Sequence, residues 1–195
     1  MRTTRRALPL ALGLLMTGGV LAQTPATEVQ RNANQQQRIE QGLQSGQLTT
    51  HEAARLEAGE ARVNRIEGRA LGDGTLSAGE ARRIRAAQNA ESRAIARQKH
   101  DAQTGNPASA SSRRMQADVQ RNANQQRRIE QGAVAGSLTN KEVAQLERGQ
   151  AHVERREARA GIDGHVGAAG QASIQHAENV QSARIHARKH NAVAR

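Results

Sequence analysis

Val29–Gly42 reads VQRNANQQQRIEQG and Val119–Gly132 reads VQRNANQQRRIEQG, the two differing only in Gln37 against Arg127. The likeness extends outward: 29–102 aligns with 119–192 at a constant offset of 90 positions without a gap, and about half of the residues are identical. A fixed offset of this kind marks a duplicated unit. On a helix Val29, Gln36, Ile39 and Leu43 share one face, a thin apolar strip edged by the amides of Asn32, Gln35 and Gln36. Each amide carries donors and an acceptor that can bridge to a neighbouring helix or to backbone carbonyls.

Each copy divides into three helical stretches. In the first copy they are expected over Glu28–Gln44, Thr50–Ala70 and Ala78–His100. Thr49-x-x-Glu52, Ser77-x-x-Glu80 and Thr139-x-x-Glu142 have the spacing at which a hydroxyl and a carboxylate satisfy the orphan amide donors of a helix start. Glycine-rich turns precede these starts and stop the helix before each. No alternating run rich in β-branched residues competes, so the expected fold is all-α: two tandem copies of a three-helix antiparallel unit, 28–102 and 117–192, joined by a flexible linker, 103–116. The linker carries the loop-like stretch QTGNPASASSRR from Gln103 to Arg114.

The middle stretch has the clearest pattern. Leu56, Val63 and Ala70 recur every seven residues with Ile66 between, flanked by Arg55, Arg62 and Arg69 on one side and Glu60 and Glu67 on the other. This seam is expected to pack on the first and third helices of its own copy, with self-association through the middle helix as the alternative. The second copy keeps Leu146, Val153 and Ala160 but has Arg156 where the first has Ile66.

Composition narrows the function. Residues 1–22 read as a cleaved signal peptide: Arg2, Arg5 and Arg6 precede the apolar run ALPLALGLLMTGGVLA, and Val20 and Ala22 are small residues placed for cleavage after Ala22. The mature chain is then periplasmic or secreted, without a transmembrane segment. Phe, Tyr, Trp and Cys are all absent, so neither disulfides nor thiolate metal sites form, and core energy must come from small aliphatic residues. The formal charge of +11 falls to about +8 without the leader, enough to attract lipopolysaccharide, acidic lipids or extracellular DNA. Arg55, Arg62, Arg69, Arg82, Arg83, Arg155, Arg156 and Arg159 are the expected contacts to such a polyanion or partner. No aromatic residue can stack a base, so no specific nucleic-acid recognition is expected.

Two constellations could hold a metal ion. Asp73–Glu80, DGTLSAGE, resembles the second half of an EF-hand loop, with Asp73, Gly74, Leu76 and Glu80 at the fifth, sixth, eighth and twelfth loop positions. The resemblance implies calcium at Asp73 and Glu80. Arg69 stands where the first carboxylate ligand belongs, and Gly170 replaces the final Glu in the second copy. His186 and His190, one helical turn apart, could share a zinc or copper ion. No serine or acid set has the context of a nucleophile, and Glu57 and Glu60 read as a solvated helix face, so the chain is expected not to be an enzyme and to need no cofactor.

By its small size, basic charge and helical pattern the chain also resembles the helical periplasmic stress and chaperone proteins. That resemblance implies a non-catalytic envelope protein making charge-led contacts with macromolecules or envelope polyanions. The alternative is weak binding of calcium or a transition metal in the same compartment.

Overall fold

The computed structural model describes residues 24–191. The expected signal peptide, 1–22, lies outside them. Six helices and no strand occur among the described residues: α1 Pro25–Ser45, α2 Thr50–Ala70, α3 Ala78–Lys99, α4 Ala110–Val134, α5 Asn140–Gly161 and α6 Ala168–His190.

The helix ends follow local chemistry. Thr49, Ser77 and Thr139 each accept from the amide of the glutamate three residues on, while that carboxylate accepts the cap residue's own N–H at 2.8, 3.0 and 2.9 Å. Helix α6 starts at Gly167 with no side-chain cap, because Gly167 and Gly170 stand where the first copy has Ser77 and Glu80. Helix α1 stops at Gly46, whose φ of 75° lets its N–H turn back to the Leu43 carbonyl.

The connection between the copies is shorter and better anchored than the sequence suggests. Ser109 Oγ accepts the Ser112 amide at 3.1 Å and starts α4 at Ala110, so 110–116 are helical rather than linker. Upstream, the Gly105 amide bonds the Gly46 carbonyl at 2.8 Å, and a β-carbon at 105 would sit 2.2 Å from the Leu48 carbonyl oxygen. Only glycine allows that approach.

The expectation that the α2 seam packs mainly within its own copy needs correction. The most extensive helix–helix contacts are α2 on α5 and α1 on α4, each joining one copy to the other. Helices α2 and α5 run antiparallel, since Gly68 lies against Ala144 and Arg148 while Gly161 lies against Thr50 and Ala54. The middle helices do pair, therefore, but with each other inside one chain. The physical reason is that the apolar strip of each copy is too narrow to close a three-helix core alone, and joining the two strips doubles the buried apolar area.

Two apolar clusters result, both of mixed origin. One gathers Ile39, Leu43, Leu48, Leu56 and Ile95 with Met115, Val119 and Ile174. The other gathers Val29 and Leu71 with Ile129, Leu138, Leu146 and Ile185. Between them the α2–α5 seam is polar. Glu57 and Glu60, read from sequence as solvated, are both 0% exposed.

Candidate functional site

The buried polar seam begins with helical spacing. Glu57, Glu60, Asn64 and Glu67 line one stripe of α2, and the residues 90 positions on, Glu147, Gln150, Glu154 and Glu157, line the matching stripe of α5; all are buried. At the centre Asn64 donates Nδ2 to Glu154 Oε1 at 2.6 Å, a bond between equivalent positions of the two copies. Had the copies stayed identical here, two carboxyls or two amides would face each other; the exchange gives donor against acceptor. In sequence, amide and carboxyl are also exchanged at Glu60/Gln150, Gln88/Glu178 and Glu91/Gln181.

The amides of the opening repeat complete the network. Gln36 Nε2 donates to Glu57 at 3.1 Å and Glu154 at 3.3 Å; Gln126 Nε2 donates to Glu147 at 3.1 Å. Asn32 Nδ2 bridges Asn64 and Glu67 at 2.8 and 2.7 Å, and Asn122 Nδ2 reaches Glu157 at 2.6 Å and Glu57 at 3.4 Å. Gln35 and Gln125 tie α1 to the Gln88 carbonyl and α4 to the Glu178 carbonyl, at 2.8 and 2.9 Å. The near-identity of the two stretches thus serves two equivalent packing tasks.

Burial pushes these carboxyls out of their usual range. Glu57 and Glu91 are raised to about 7 and Glu147 to about 8, in each case mainly by removal from water. Glu60, Glu67, Glu154 and Glu157 lie well above the ordinary value, first through burial and then through neighbouring carboxyls. At the α4–α6 contact Asp118 rises to about 7 and Glu178 to about 8, again first by burial. Glu57 and Glu157 share the Asn122 amide as a donor, which draws these two buried acids together.

The bases are sorted the opposite way. Twelve of the eighteen acidic side chains are buried, whereas no lysine or arginine among the described residues is. Two ion pairs form among the described residues, Arg121–Glu178 at 3.1 Å and Arg188–Glu142 at 3.9 Å. The exterior is therefore far more cationic than the formal charge indicates, since most acids point inward and several are held near neutrality.

Of the arginines singled out from sequence, Arg55, Arg62, Arg69, Arg82, Arg83, Arg156 and Arg159 are exposed and Arg155 is half-buried. Arg69 and Arg83 meet beside Ile66 and Glu80, Arg55 and Arg62 line a groove between α2 and α3, and Arg155, Arg156 and Arg159 surround His152.

The expected metal residues are placed otherwise. Asp73 Oδ1 accepts from the Thr75 amide and hydroxyl at 2.8 and 2.9 Å, while Glu80 is engaged by Ser77. Each carboxylate serves its own turn, and these bonds hold both below the usual carboxylate range. His186 and His190 lie side by side, ring centroids 4.4 Å apart with the planes tilted by 53°, both exposed. Among the described residues no group of three or more His, Cys, Asp or Glu side chains is placed to hold a metal ion.

The buried carboxyls are what sequence reasoning missed. A charged stripe beside an apolar seam ordinarily faces water, and only the amide-rich partner helix signalled donors in search of interior acceptors. In comparisons with protein-family models, curated proteins and solved structures, the chain matches none.

Proposed function

We propose that the protein is an exported, non-catalytic helical repeat protein that binds anionic macromolecules of the envelope through its guanidinium shell. The observation that carries this reading is the sorting of charge: acids fill the interior while every described lysine and arginine reaches solvent. A surface of this kind draws polyanions from a distance, with fast, salt-sensitive association. Exposed large apolar side chains among the described residues are scattered, Val134, Ile162 and Val180, so contacts with a stress-damaged client would be charge-led.

The two copies contribute as the halves of one body. Their carboxyl-lined seams close on each other, and their arginines face outward from both sides of that closure. In this reading the middle helices are unavailable for pairing between chains. Asp73 and Glu80 are engaged in their own turns, and His186 and His190 lie on an exposed helix face.

The test is binding of the mature protein to lipid vesicles containing phosphatidylglycerol, at low and high salt. Binding that weakens steeply with salt, and is absent for neutral vesicles, is the expected result. Salt-independent binding, or none to the anionic vesicles, overturns the reading.

A further inference from the structure

The groove between α5 and α6 differs from its counterpart between α2 and α3 in having no acid in its lining. In the first copy Arg62 and Arg97 face the buried carboxyl of Glu91, which lies in the groove with Ala94. In the second copy Glu91 is replaced by Gln181, Ala94 by Arg184, Ala86 by His176 and Ile66 by Arg156. Three changes run the other way, Arg55 to Gln145, Arg62 to His152 and Arg97 to Ala187. The net outcome is that a groove whose arginines offset an acid has become one lined by Arg156, Arg184, His152 and His176 without an acid, with a volume of about 200 Å³. An adjoining hollow of about 300 Å³ shares His152 and Arg156 and adds Arg155 and Arg159.

The carboxyls of α5 and α6, Glu142, Glu147, Glu154, Glu157 and Glu178, are all buried, so none compensates this cluster from the outside. Arg156 Nη1 is steadied by Ser173 Oγ at 2.9 Å. Arg155 Nη2 lies 3.2 Å from His152 Nδ1. Arginine only donates, so Nδ1 accepts and His152 is neutral with its proton on Nε2. Partial burial and the surrounding Arg155, Arg156, Arg159 and Arg184 depress its basicity, in accord with that tautomer.

From this geometry we infer that the α5–α6 groove is a binding site for a phosphomonoester dianion, one per chain. Guanidinium groups converging from two helices match tetrahedral oxyanions through paired N–H donors. The two imidazoles favour a monoester over a diester: a group carrying up to about two negative charges reverses the local field, so His152 takes up a proton and releases Arg155 to the ligand. The inference rests on the charge-led reading above and adds to it a defined site and ligand chemistry.

Two arms distinguish a free phosphate from a lipid-borne one. Inorganic phosphate is titrated into the mature protein at low salt by calorimetry, with the histidine ring protons followed by NMR. In parallel, neutral vesicles carrying phosphatidic acid, a membrane-borne monoester, are compared with vesicles carrying phosphatidylglycerol. The expected result is a single site whose occupation raises the pKa of His152, assigned with H152N. The triple variant R156I/H176A/R184A installs the first copy's residues at exposed positions, preserves helicity, and weakens phosphate and phosphatidic acid binding about tenfold or more while sparing phosphatidylglycerol. Preference for phosphatidic acid without free-phosphate binding assigns the site to a lipid headgroup, whereas binding of both assigns it to the phosphate itself. If phosphatidylglycerol vesicles bind but neither monoester is preferred, or the triple variant binds monoesters unchanged, the inference fails and the general reading stands. If no anionic vesicle binds, both fail.

Discussion

The seam between α2 and α5 and the outer faces of the same two helices come from the same stretches of sequence, yet one is rich in carboxyls and dry and the other rich in guanidinium and wet. Inside, Glu57, Glu67, Glu147, Glu154 and Glu157 accept from amides, and Glu60 is buried among them. Outside, Arg55, Arg62, Arg69, Arg156 and Arg159 meet solvent. Helical periodicity alone does the sorting. The two charge signs are not interchangeable in an interior: a carboxyl can become neutral by taking a proton, whereas arginine stays charged at any accessible pH. A chain without aromatic residues can therefore fill its centre with protonated acids and amides, and that choice leaves the cations on the surface.

The interior is the more sensitive of the two regions. Gly68 touches α5 so closely that a β-carbon would lie 2.9 Å from the Ala144 carbonyl oxygen and 2.6 Å from Arg148 Cγ. Because one of those neighbours is backbone, Gly68→Val forces the two middle helices apart, and urea denaturation is expected to show a loss of about 3 kcal/mol. A smaller effect comes from the amides. Asn122→Ala strips Glu57 and Glu157 of a shared donor and is expected to cost about 2 kcal/mol, more at pH 8 than at pH 5 because that donor favours the ionised acid.

Glu60 offers a change of the opposite sign. Neither of its oxygens has a hydrogen-bond partner, and the equivalent position in the second copy is already Gln150. Glu60→Gln removes a group that must be neutral to stay buried, so it is expected to raise stability by about 2 kcal/mol at pH 8 and to change it little at pH 5. The outer region should respond least in stability. Exchanging Arg82 and Arg83 for Gln is expected to move the unfolding free energy by less than about 0.5 kcal/mol. The same double variant should reduce binding to anionic vesicles at low salt, which separates the roles of the two regions.

Much of this architecture is legible in the sequence, and the part that is not has a definite cause. The helix spans, the three capping boxes and the apolar positions Leu56, Val63 and Ala70 follow from spacing that acts within a turn or two of helix. What covers each seam is a tertiary question: a stripe such as Glu57, Glu60, Asn64 and Glu67 reads as solvated whenever its partner is unknown. The duplication held the clue, because Asn64 and Glu154 exchange amide for carboxyl at one equivalent position, yet only their 2.6 Å contact gives the exchange a meaning. The arginines expected from sequence to make contacts are exposed or half-buried, but the histidines and Arg184 that shape the α5–α6 groove come together only through the pairing of two helices. The DGTLSAGE turn shows the converse: spacing suggested shared ligands, while Asp73 and Glu80 are each committed to local bonds.

Whether the interior acids are held neutral is read from thermal unfolding of the mature protein between pH 5 and pH 8.5. Glu57, Glu91 and Asp118, raised to about 7, and Glu147 and Glu178, raised to about 8, bind protons in the folded chain at pH values where the unfolded chain has released them. Folding stability is then fully present below the unfolded value and is lost as pH rises through the folded one. A single carboxyl held near 7 accounts for a loss of ~3 kcal/mol across that window, or ~6–12 °C in Tm for a chain of this size. Tm is expected to fall by at least that amount from pH 5 to pH 8.5; a Tm that holds level or climbs over the same range would mean that these acids are ionised in the folded chain.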